Sequence, residues 1–168
     1  MAEVCGERGY AESSVAEVSR RAGVSTASFY RQFKDKSECM LASFEELFGR
    51  LLAAIERACA AESGEEKIQA GARTAAALLA DDPPTARLLS IEIAALGPVG
   101  VRAQQEAIER LAALLRGPER PATLDAAWIT ASAMNALLAM RLAEGNNQLS
   151  FENLLLDFMK VLDVNRRS

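Results

Sequence analysis

The chain has 168 residues, half of them hydrophobic and a quarter charged, with a formal net charge of −4 and no histidine. That length and apolar content can close a real core, so global disorder is excluded. The missing imidazole removes Ser-His-Asp and Cys-His catalysis and histidine zinc sites, and no Gly-rich phosphate loop is present.

The carboxylate pairs Glu65-Glu66 and Asp81-Asp82 stand beside helix breakers and read as helix-end charges, so neither an enzyme nor a cofactor is expected. Cys5, Cys39 and Cys59 are odd in number and scattered, which fits small hydrophobes in a reducing cytoplasm. The start, MAEVCGERGY, lacks the basic and apolar regions of a secretory signal. The stretch Ala126 to Met140 is free of charge but shorter than the roughly 20 residues that span a bilayer. A cytoplasmic protein without a membrane partner is expected.

Breakers at Gly9, Gly23, Lys34-Asp35, Ser63-Gly64, Asp82-Pro83-Pro84, Gly97-Pro98, Gly117-Pro118 with Pro121, and Gly145-Asn146-Asn147 divide the chain into about nine helical stretches. Alanine and leucine dominate and no segment alternates in the strand manner, so the fold class is all-α.

Ser13 or Ser14 caps a short helix whose inward residues are Val15, Val18 and Ala22. Gly23 ends it, Val24 plugs the corner, and Ser25 caps a second short helix from Thr26 to Phe33, with Phe29 and Phe33 facing inward. Thr26, Ala27, Ser28, Tyr30 and Arg31 are then left outward, which is the layout of a helix-turn-helix. Between Arg20 and Lys36 five basic residues face Asp35 alone, a net of +4 in an acidic chain. Ser25 with the first-turn amides, Tyr30 and Lys36 suit DNA phosphates; Arg31 suits a phosphate or a guanine edge; Ala27 and the Thr26 methyl suit thymine methyls. An ordinary two-helix corner accounts for Gly23 but not for this cluster.

A long helix follows from Lys36 to Ala61. Met40, Phe44, Leu47, Phe48, Leu51, Ile55 and Cys59 share one face of it, and its length approaches ~40 Å. The middle helices, Ile68 to Leu115, together with Phe48 and Leu52, supply candidate walls for a small hydrophobic effector, although periodicity does not separate pocket from core. From Leu124 to Glu144 apolar or small residues lie all round the helix, and the last stretch, Leu149 to Val164, has a broad apolar face. These two pair with their symmetry mates in a four-helix bundle, with Trp128, Met134, Leu138, Leu155 and Phe158 as dimerisation residues. The alternative is that both are core of a monomer.

The stretch GYAESSVAEVSRRAGVSTASFYRQFKDKSE resembles the DNA-binding domain of the TetR family of bacterial transcriptional regulators. The matching residues are Gly9-Tyr10, Ser13-Ser14-Val15, Val18, Ala22-Gly23-Val24-Ser25, Phe29-Tyr30, Phe33 and Lys36, in roughly the first quarter of the chain. The resemblance implies a helix-turn-helix DNA-binding domain over 1–45 and a helical ligand-binding and dimerisation domain over 46–168. It further implies a homodimeric repressor that binds palindromic double-stranded operator DNA and is released by a small molecule. On that resemblance Ser14, Ser25, Thr26, Ala27, Ser28, Tyr30, Arg31 and Lys36 contact DNA, while Gly23 and Val24 are structural.

Three positions depart from the family pattern. Ala27 stands where glycine is usual, Gln32 where a histidine or aromatic residue is usual, and only the last turns of the first helix are expected, as Met1 to Arg8. A first helix truncated in this way would uncover part of the face formed by Val15, Val18 and Phe33. Two other readings remain open: a constitutive DNA-binding protein without an effector, and a helical dimeric interaction module.

Overall fold

A computed structural model describes residues 1–62, 64–116, 126–143 and 156, and among these residues it contains helices and no strand. The helices are α1 (Ala2–Glu12), α2 (Val15–Arg21), α3 (Thr26–Gln32), α4 (Lys36–Cys59), α5 (Gly64–Asp81), α6 (Pro83–Ser90), α7 (Pro98–Arg116) and α8 (Ala126–Ala143); a 3-10 segment, Glu92–Leu96, joins α6 to α7. No helix of the described residues is long and apolar enough to cross a membrane.

Local chemistry sets these boundaries. Ser14, Ser25, Asp35 and Asp82 each cap a helix by accepting the amide three residues on, those of Glu17, Ser28, Glu38 and Thr85. Of the two candidate serines it is therefore Ser14 that caps α2; Ser13 is buried and donates its hydroxyl to the Tyr10 carbonyl at 2.7 Å. Gly23 turns the chain between α2 and α3 at φ 67, a left-handed conformation that glycine adopts without a Cβ clash. Gly9, at φ 78 and ψ 161, breaks α1 internally and redirects Tyr10 toward the body.

Two apolar clusters result. The smaller holds Val4, Val18, Phe29 and Cys39, with Met1, Val15 and Phe33 partly buried against it, and it fixes α2 and α3 on α1 and α4. The larger gathers Met40, Phe44, Phe48 and Ile55 of α4 with residues of α5 to α8. Cys5 belongs to the larger cluster, so consecutive residues of α1 enter different cores. Accordingly α1 packs on α6 and on the 3-10 segment as well as on α2.

Some expectations are corrected here. Val24 is exposed and does not plug the corner, and Ala22 is exposed too; Val18, Phe29 and Phe33 hold the two short helices. The long helix runs 24 residues, about 36 Å, with Met40, Phe44, Phe48, Ile55 and Cys59 buried and Leu47 and Leu51 half-buried. The all-round apolar sequence of α8 concealed a two-sided helix. Met134 and Leu138 are only 6% and 3% exposed, already packed in their own protomer's core, whereas Trp128 and Met140 are 44% and 59% exposed. Leu155, Phe158 and most of the stretch Leu149 to Val164 lie outside the described residues, as do the breaks at Gly117 to Pro121 and Gly145 to Asn147.

Candidate DNA-binding face and apolar cavity

The exposed side of the helix-turn-helix carries Ser14, Ser25, Thr26, Ala27, Tyr30 and Arg31, with Ser28 half-buried among them. A short polar relay runs along α3. The Ser25 hydroxyl donates to Ser28 Oγ at 3.0 Å, and Arg31 Nη2 donates to the same oxygen at 2.9 Å. The Tyr30 ring stands edge-on to the buried Phe29 ring, centroids 5.4 Å apart and planes at 84°, which aims it outward from a fixed base.

The basic surplus of this segment is smaller than its sequence suggests. Arg20 pairs with Glu17 at 2.6 Å, and Arg21 reaches Glu7 at 2.6 Å and Glu3 at 3.3 Å. Hydrogen bonds from Arg21 and Arg20 hold the Glu7 and Glu17 carboxyls below the usual carboxylate range.

Lys36 is half-buried, and two of its three donors are engaged. Its ammonium donates to the carbonyls of Tyr10 and Ser13, both at 2.7 Å, and lies 4.1 Å from the centroid of the Tyr10 ring. The structure thus gives Lys36 a strut's role between α1 and α4, and at most one donor remains for DNA.

Tyr10 and Glu92 have no place among the sequence-predicted site residues. The Tyr10 amide donates to Glu92 Oε2 at 2.7 Å and its hydroxyl shares a 2.9 Å hydrogen bond with Ser37. Glu92 is 6% exposed, and its second oxygen accepts from Arg87 Nε at 2.8 Å. A lone carboxylate in the apolar run LLSIEIAAL was the available signal. Buried carboxylates need partners, and this one finds them in Arg87 and in the first helix.

Inside the body an apolar cavity opens between α4, α5, α6, α7 and α8. Its volume is about 80 Å³. Phe44 and Phe48, stacked with planes 5° apart, form one wall; Leu79, Ile108, Met134 and Leu138 form others. Leu51 lines it where Leu52 was expected. Among the described residues the polar lining side chains are Ser90, Gln104 and Asn135, and no charged one lines it. Gln104 Nε2 donates to the carbonyls of Leu89 and Ser90, both at 3.1 Å, and so anchors the end of α6 to α7.

Residues 2–43 match the family model of bacterial regulatory proteins of the tetR family. The match covers about a quarter of the chain, the end that carries the helix-turn-helix. Members of that family are transcriptional regulators rather than enzymes. Over 54 residues it is 33% identical to the fatty acid metabolism regulator protein of Bacillus subtilis (strain 168), a match spanning 32% of this chain and 28% of that relative. Among solved structures, the fatty acid degradation regulator FadR from Bacillus halodurans superposes with a TM-score of 0.79 at 19% identity, covering 96% of this chain and 90% of its own. FadR from Bacillus subtilis, solved in complex with stearoyl-CoA, gives a TM-score of 0.78 at 21% identity, with 98% and 92% covered. At such identities the likeness establishes the TetR-regulator fold.

Proposed function

We propose that this chain is a TetR-family regulator, a repressor that binds palindromic operator DNA as a homodimer and releases it when a hydrophobic small molecule fills the body cavity. Residues 1–45 act as the DNA-binding domain and 46–168 as the ligand-binding and dimerisation domain. The observation that carries this reading is an apolar cavity whose α6 wall continues, through Glu92, to a hydrogen bond on the first helix of the DNA-binding half.

On the DNA side, Ser14, Ser25, Thr26, Ala27, Ser28, Tyr30 and Arg31 form the contacting face, while Lys36 holds that face on α4 and offers its remaining donor to a phosphate. For dimerisation, the exposed Trp128, Ile129 and Met140 of α8 supply apolar surface that a symmetry mate can cover. An acyl chain is the favoured effector. The described lining is largely apolar and carries no charged side chain, and the FadR structure with stearoyl-CoA has the same fold.

In this mechanism the ligand favours a body conformation that moves α6 and α4, and through them the spacing of two recognition helices that must reach successive major grooves about 34 Å apart. A coupling free energy of ~1–3 kcal/mol lowers operator affinity five- to 150-fold. The test is titration of the protein against the DNA flanking its own gene, with and without stearoyl-CoA. Two protomers per site and loss of binding on addition of the ligand are expected. Specific binding that stearoyl-CoA, free fatty acids and other hydrophobic ligands all leave unchanged would reject effector release.

A further inference from the structure

We infer that the effector presents an uncharged hydrogen-bonding group, a hydroxyl or a carbonyl, to the side chain of Ser90 inside the cavity, and that no charged end enters to that depth. This deepens the effector reading of the cavity and rests on it.

Ser90 closes α6. It is only 7% exposed, lines the cavity, and its hydroxyl has no hydrogen-bond partner. A helical serine ordinarily returns its hydroxyl to a carbonyl one turn back, yet this one does not. Its own carbonyl is already held by Gln104. The side chain therefore keeps a donor and an acceptor open among phenylalanine, leucine and methionine, a combination that folding alone disfavours and a ligand group relieves. Gln104 and Asn135 line the same cavity and extend its capacity for a neutral polar group.

The charge of that group follows from what surrounds it. Among the described residues no lysine, arginine, aspartate or glutamate lines the cavity. Arg110 lies over the Phe48 ring of the aromatic wall, but it is not among the lining residues and pairs with Glu45 at 3.0 Å. A carboxylate or ammonium at the level of Ser90 would lose its hydration without a counter-charge, so ionic head groups remain at the mouth. Position also matters, because Ser90 stands two residues before Glu92, whose carboxylate holds Tyr10. A ligand bond at Ser90 thus acts on the segment that touches the first helix.

The experiment displaces an environment-sensitive apolar dye from the full chain with 1-octanol, n-octane and octanoate at pH 8, in the native protein and in Ser90→Ala and Ser90→Thr. Ser90→Ala should weaken 1-octanol by roughly threefold to tenfold, the net worth of one hydrogen bond, and leave n-octane unchanged or tighter. Ser90→Thr, which keeps a hydroxyl, should restore much of the loss. Octanoate should bind at least about tenfold more weakly than 1-octanol. Equal effects of Ser90→Ala on octanol and octane, or octanoate binding as well as octanol, would overturn the inference. Displacement by none of the three would reject both the cavity as a ligand site and the Ser90 contact. Ser90-dependent displacement that leaves operator binding untouched would reject effector release alone and keep the polar contact.

Discussion

The buried carboxylate of Glu92 accepts the backbone amide of Tyr10 at 2.7 Å, joining residues 82 positions apart. Tyr10 is held from every side: its carbonyl accepts the Lys36 ammonium and the Ser13 hydroxyl, its ring lies under that ammonium, and its hydroxyl meets Ser37. Replacing Glu92 by alanine removes a charge-assisted bond and leaves Arg87 without its partner. Unfolding in urea should register a loss of about 1.5–3 kcal/mol. The same variant should bind operator less responsively to ligand, and an unaltered ligand response would separate this contact from the coupling.

Tyr30 and Lys36 should part company under mutation. Tyr30→Ala should leave the thermal midpoint nearly unchanged, weaken every DNA sequence alike, and leave the salt slope nearly unchanged, because a neutral hydroxyl releases no counterion from a phosphate. Lys36→Ala should instead lower stability by about 1.5–3 kcal/mol, because two carbonyls lose a charged donor. Thermal melts alongside operator titrations at two salt concentrations distinguish the roles, and equal melting of both variants would contradict them.

On α8, a charge at Met140 and one at Met134 should have opposite consequences. Met140→Glu should leave the protomer folded and shift the protein toward monomer in light scattering. Met134→Glu puts a carboxylate into the cavity wall and should unfold the body, while Met134→Ala should cost about 2–5 kcal/mol. An unchanged dimer mass in Met140→Glu would move the interface elsewhere.

Burial raises the thiol pKa of Cys5, Cys39 and Cys59 above the ordinary value. In the unfolded chain these thiols ionise near pH ~8.5, whereas in the folded chain they stay protonated to higher pH. The unfolded state therefore binds fewer protons in alkali, and the stabilisation present below about pH 8.5 is lost as pH rises through the folded values. Urea midpoints should fall between pH 8 and 10, less steeply in a Cys→Ala variant, and alkylation by iodoacetamide should require denaturant.

Much of this architecture was legible in the sequence. Asp82 before two prolines, Ser25 after Gly23 and the three-four spacing of Met40, Phe44 and Phe48 specify caps, turns and a buried face through local chemistry alone. The neutralisation of Arg21 was not legible, because its partners Glu3 and Glu7 come from another helix. Nor was the inward side of α8: where apolar residues surround a helix, periodicity carries no phase, and Met134 and Met140 look alike until neighbours choose between them. Val24 misled for a related reason, since a hydrophobe at a tight corner is buried only if some other element arrives to cover it.

Because Val4 and Cys5 point into different cores, the first helix is a shared wall rather than a possession of the DNA-binding half. Exchanging operator specificity with another regulator by cutting at residue 45 would import a first helix shaped for a foreign body. Such a hybrid would have to carry the matching surface of α6 and the 3-10 segment with it, or keep its own residues 1–12 and exchange only the helices that follow.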